Sequence, residues 1–146
     1  MAGDGVPSSL WGSNDAGYNG TCTPQLLFGG TNIGMTYSVN VCQYVKRGTL
    51  ITYWLEIILT AIGTSTGNCT IQTNIPWAAS SAVTSPSSVM VNSYNTSTTG
   101  DFISYTQMGT SNIAIQYQGS GALNWFTNTD FLSTTRIRVS GSYFTA

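Results

Sequence analysis

Histidine is absent from this sequence, and charge is scarce: 6% of its 146 residues are charged, giving a net charge of −1. A typical soluble domain carries about 25% charged residues. Without imidazole there is no Ser-His or Cys-His nucleophile pair and no base that titrates near neutrality. The near-zero net charge supplies no field to hold nucleic acid or an anionic membrane surface. No apolar run reaches the roughly 18 residues of a membrane-spanning helix. The opening segment MAGDGVPSSLWG lacks the basic start and apolar stretch of a signal peptide, so synthesis in a cytoplasm is expected.

Cysteine is equally uninformative as a motif. Cys22, Cys42 and Cys69 are odd in number, show no CxxC spacing and have no histidine to complete a zinc site. They are expected to be buried free thiols in a reducing cytosol, and no metal or cofactor is expected. The carboxylates are Asp4, Asp15, Glu56, Asp101 and Asp130. The first two fall in a glycine-rich lead segment. Asp101 and Asp130 fall at turns, where Asp commonly accepts from local backbone amides. Spacing alone leaves open a glycosidase pair among Glu56, Asp101 and Asp130, while no D-x-D-x-D run marks a calcium loop. The GTSTG at 63–67 has no lysine and no following helix, so it is a strand connection and not a phosphate cradle. The chain is not expected to be an enzyme.

What is present is apolar and uncharged-polar material: 41% hydrophobic residues, 12% aromatic, with Ser, Thr, Asn and Gly supplying the polarity. Such a chain has enough apolar surface to fold. Residues 1–20, with Gly3, Gly5, Pro7, Gly12, Gly17 and Gly20, show no periodicity and predict an extended N-terminal arm. Leu10 and Trp11 are its only large apolar pair, and are expected to dock on the chain's own domain or on a neighbour. Residues 21–146 read as one all-β domain, an antiparallel sandwich of jelly-roll type. Its candidate strands are 22–28, 35–46, 49–61, 68–74, 87–94, 102–108, 111–118, 121–127 and 134–144. All are rich in Thr, Tyr, Ile and Val and bounded by Gly, Ser, Asn and Pro. Lys46-Arg47-Gly48 predicts a hairpin between two long strands.

The segment 50–61 has large side chains at both parities. Ile51, Tyr53, Leu55, Ile57 and Leu59 share one face; Trp54, Glu56 and Ile58 share the other. The second face of an isolated sandwich should be wet, so a cover is expected, most simply a symmetric copy of the chain. In the last strand Arg136 and Arg138 share a face opposite Ile137, Val139 and Tyr143. Glu56, the only Glu, needs a partner if covered, and Arg136 or Arg138 of the same or a neighbouring chain can supply it. Trp54, Glu56, Ile58, Arg136 and Arg138 are therefore the candidate trimer-interface residues. Trp11, Trp54, Trp77, Trp125 and the tyrosines fit either packing or a sugar-stacking surface.

Residues 21–77 carry a resemblance. A T-P-x-L start, a G-G turn, a T-Y strand, the hairpin QYVKRGTLITYWLEI, then GTSTGNCTI and a closing IPW resemble a small trimeric β-sandwich domain of tailed-bacteriophage structural proteins. Such domains occur in head decoration (cement) proteins and at tail-fibre tips. The resemblance implies a homotrimer and brings no catalytic residues. It leaves two settings. In the first, the chain is a decoration protein on the outer capsid surface, its arm gripping the major capsid protein and its trimer stabilising joints between capsid subunits against DNA pressure. Its start at Met and its want of a fibre shaft favour this setting. In the second, it is a receptor-binding fibre tip that contacts a host glycan or protein.

Overall fold

The structure, a computed structural model, describes residues 17–82, 88–98, 101–119 and 121–146. Leu10 and Trp11, expected to grip a capsid subunit, lie outside the described residues. So does most of the 1–20 segment read as an arm.

Ten strands follow one another: β1 (Tyr18–Cys22), β2 (Gln25–Phe28), β3 (Thr36–Arg47), β4 (Leu50–Ala61), β5 (Cys69–Gln72), β6 (Ser88–Thr96), β7 (Asp101–Thr106), β8 (Asn112–Gln118), β9 (Leu123–Trp125) and β10 (Phe131–Phe144). A 3-10 turn at Asn128–Asp130 leads into β10. The strands form two five-stranded antiparallel sheets. The front sheet has the order β1-β3-β4-β10-β6. The back sheet runs β2-β5-β8-β7, with β9 also paired to β8. This is the expected all-β, two-sheet architecture. One boundary differs: residues 18–20, read as the end of the arm, are strand and pair with Tyr44, Val45 and Lys46. A glycine in an edge strand gives no periodic signal, so composition alone placed them with the arm.

The β3–β4 hairpin forms at Lys46-Arg47-Gly48 as expected, with Arg47 opposite Leu50 and Gly48 at φ 55°. The parity of β4 is also the expected one. Ile51, Tyr53, Leu55, Ile57 and Leu59 are buried and meet Ile137, Val139 and Tyr143 of β10. The back sheet contributes Leu26, Phe28, Ile71, Ile113 and Ile115 to the same core. Each such side chain contributes about 1.5–3 kcal/mol when fully buried. Phe126 seals one end, stacked on Phe102 at 4.8 Å between ring centroids and 5.8 Å from Phe131.

GTSTG proves structural in a specific way. The Ser65 hydroxyl is buried and accepts from the Ile33 amide at 2.8 Å and from the Thr31 hydroxyl at 2.9 Å. Gly63 sits at φ 76°, and a Cβ there would lie 2.1 Å from the Ile33 carbonyl oxygen. Its neighbour loop at Gly29 is as tight, with a Cβ position 2.4 Å from the Thr66 carbonyl oxygen. Two loops thus pack backbone to backbone, which only glycine permits at such distances.

The cysteine expectation is corrected. Cys22 and Cys42 face each other in the β1–β3 register, Cα to Cα 4.8 Å, and are joined by a disulfide. The separation of that pair is within the range a disulfide spans. Spacing along the chain could not reveal it, because the pairing depends on β1 being a strand. Cys69 does remain a buried free thiol. Burial pushes its ionisation well up, aided by the charge of Asp130, so it is inert as a nucleophile.

Candidate functional site: the outer face of the front sheet

The register of the front sheet lays its outer side chains in rows across the strands. Gln43, Trp54, Ser140 and Met90 form one row. Val41, Glu56, Arg138 and Asn92 form the next, and Val39, Ile58, Arg136 and Tyr94 the third. The five residues expected to share an interface are thereby brought onto one face, at the centre of the sheet.

Glu56 is the pivot of that face. Arg138 Nε donates to Glu56 Oε1 at 2.9 Å, and Arg136 donates to the same oxygen through its guanidinium. The carboxylate is held between its diagonal and lateral neighbours on β10, with 13% of its side chain exposed. The hydrogen bond from Arg138, joined by that from Arg136, holds Glu56 below the usual carboxylate range against the opposing effect of its burial. The partners belong to the same chain, so the charges are matched before any second surface arrives. A face whose charge is already paired loses less on desolvation than one with a free carboxylate.

Around this pivot the side chains are large and apolar. Trp54 is 42% exposed, Met90 72% and Tyr94 50%, with Val41 and Val45 exposed beside them. Trp54, Met90, Asn92, Arg138 and Ser140 line a shallow depression of about 160 Å³, floored by the small Ser140 between two bulky walls. Aromatic residues, Met and Arg are the types enriched in protein–protein contact cores, and a contiguous exposed apolar patch marks a contact surface. Met90, Asn92 and Tyr94 were not singled out from sequence. The period-2 alternation of VMVNSY at 89–94 was the available signal; it placed a strand but did not say which sheet, or which face, it joined.

Asp130 is occupied structurally. Its carboxylate accepts from the Thr127 amide at 2.8 Å and from the Thr127 and Thr98 hydroxyls, capping the turn before β10. Among the described residues no three His, Cys, Asp or Glu side chains are grouped to hold a metal ion.

No model of a known protein family matches the sequence, and no curated protein matches it. The fold resembles part of a tailspike protein. The crystal structure of the Dettilon tailspike protein superposes on 89% of this chain with a TM-score of 0.69 and 14% identity. The match covers 24% of that protein, so the chain corresponds to about a quarter of it. At this identity the likeness is one of fold.

Proposed function

We propose that the chain is a structural module of a phage tail appendage, a fibre or tailspike, that assembles with copies of itself as a homotrimer and takes part in contact with the host surface. The observation that carries the reading is the tailspike-like fold over nearly the whole chain. It weighs for the tail setting over the capsid-decoration setting. The outer face of the front sheet is the proposed contact between copies: Trp54, Ile58 and Met90 supply apolar area, and Glu56 with Arg136 and Arg138 supplies an orienting, internally matched charge cluster. No catalytic step is assigned to the module. Glu56 and Asp130 are both engaged in structural hydrogen bonds.

Immunogold labelling of virions tests the setting: label on tail appendages supports it, and label over the whole head surface replaces it with capsid decoration. Light scattering tests the assembly. The wild-type chain is expected to run at three times its monomer mass, and Trp54→Asp at the monomer mass with an unchanged β-sheet circular dichroism spectrum. A wild-type monomer at micromolar concentration would remove the homotrimer from the proposal.

A further inference from the structure

β1 stands apart from the rest of the front sheet. It lies at the sheet edge, pairs with β3 alone among the described residues, and has no buried residue. Cys22 is its one side chain packed against the hydrophobic core. A segment with so little buried apolar contact opens before the core does, unless something else fastens it. Part of the fastening is aromatic. The ring of Tyr44 lies over Gly20 and leaves no room for a Cβ there; an aromatic ring over a cross-strand glycine helps to fix register. The Tyr18 ring stands 6.2 Å from that of Tyr44 and meets Trp77 edge-on at 5.3 Å between centroids. Tyr18 is 55% exposed, so water competes for that contact.

The strongest fastening is covalent, the Cys22–Cys42 disulfide at the C-terminal end of β1. The two Cα atoms are 4.8 Å apart, close to the ~4.5 Å of opposed residues that exchange no ladder hydrogen bonds. By alternation the ladder bonds fall at Thr21–Gln43 and Asn19–Val45. The two sulfurs differ in access. Cys42 is 2% exposed and lies in the core, paired with Leu55 in the β3–β4 register, whereas Cys22 is only partly buried. Thiol–disulfide exchange depends on which sulfur can be reached, and exposed disulfides are the labile ones. The core is closed without β1: Leu55, Ile57, Ile137 and Val139 are buried among β3, β4, β10 and the back sheet.

We propose that the Cys22–Cys42 disulfide is a redox-sensitive latch: intact, it holds β1 on the sheet, and its reduction releases β1 and uncovers the edge of β3 while the sandwich stays folded. The step is thiol–disulfide exchange with a small thiol, glutathione being the probe. Its thiolate attacks Cys22 Sγ, the accessible sulfur. The S–S bond breaks, the electron pair leaves on Cys42 Sγ, which takes up a proton, and a mixed disulfide remains at Cys22. A second glutathione thiolate attacks the glutathione sulfur of that mixed disulfide, and Cys22 leaves and is protonated in turn. Two protein thiols result, and two glutathiones are oxidised to one disulfide. The released strand takes with it the partners of Gln43 and Val45, whose backbone groups then form an open edge that another strand can pair with. Cys69 is fully buried and takes no part. The latch is a property of the fold and works alike in the tail and the head setting.

The test uses the full chain, equilibrated with oxidised or with reduced glutathione, and reads it by thiol alkylation with mass spectrometry and by residue-resolved hydrogen exchange. The oxidised chain is expected to take no label while folded and to show Cys69 alone as a free thiol once denatured. The reduced chain is expected to take label at Cys22 first and then at Cys42, with Cys69 protected until denaturation. In the reduced chain the amides of Asn19, Thr21, Gln43 and Val45 should exchange about a hundredfold faster, the typical worth of a lost cross-link. Leu55, Ile57 and Val139 should stay protected far above them. A chain carrying Cys22→Ser and Cys42→Ser together should match the reduced chain with no glutathione present. Free Cys22 and Cys42 after oxidised glutathione overturn the latch, as does β1 protection in the double variant equal to that of the oxidised chain. Equal loss of protection at Leu55 and Val139, or unfolding of the reduced chain, also overturns it, since the disulfide would then staple the whole fold.

Discussion

The two faces of β4 invite comparison, because both carry large apolar side chains and only one is closed. The inner face is aliphatic and tyrosine, packed against β10 and the back sheet. The outer face mixes Trp54 and Ile58 with a carboxylate held by two guanidiniums. A core can use shape alone, since close packing rewards every contact. A surface that is wet in the monomer and, as proposed, dry in an assembly has to suit both conditions. Aromatic and paired charged groups do this; a row of Leu and Ile would not.

Truncation should separate the faces most sharply. Leu55→Ala on the inner face is expected to cost about 2–5 kcal/mol, whereas Trp54→Ala, beside it in sequence, is expected to cost the isolated monomer less than about 1 kcal/mol. Denaturant unfolding of both at concentrations where no oligomer forms measures the difference, and equal losses would show that the outer face is already closed within one chain. Next in size is Tyr143→Phe. It removes the donor to the Trp77 carbonyl and should cost about 1 kcal/mol, with the Trp77 environment loosening visibly in near-ultraviolet circular dichroism.

Smaller effects belong to the charge cluster. A double-mutant cycle of Glu56→Gln with Arg138→Gln should give a coupling below about 1 kcal/mol in the monomer, because the arginines are well exposed. In the proposed homotrimer the same cycle should give a larger value as water leaves. Absence of coupling in both states would mean that the contacts are incidental. The smallest effect is with pH. Glu56 titrates below its unfolded value, near 4.3. Its contribution is therefore complete above that value and is lost as pH falls through the folded one. Against the Glu56→Gln variant, the wild-type advantage should shrink on acidification below about pH 4, and an advantage that grows would reverse the assignment.

Much of this was legible along the chain. The strand-rich pattern, the β3–β4 hairpin, the two parities of β4 and the placing of Arg136 and Arg138 opposite Ile137 and Val139 all follow from period-2 alternation and turn residues, which are local properties. That Glu56 seeks Arg136 or Arg138 was readable from composition, since few other partners exist. The disulfide was not readable, nor was Met90 as a neighbour of Trp54 or Tyr94 as part of the same outer face. Both depend on which strands lie side by side, and β6 reaches β10 across a long stretch of sequence.

By itself, then, the sequence determined what each strand offers: which side chains share a face, where the chain turns, and that neither histidine chemistry nor a strong electrostatic field is available. Only the tertiary structure decided who meets whom. It set β10 between β4 and β6, so that Glu56 lies against both arginines, and it laid β1 along β3, so that Cys22 meets Cys42 and Tyr18 meets Trp77. The physical reason is that side-chain direction repeats locally along a strand, whereas strand order is fixed by the global closure of one core.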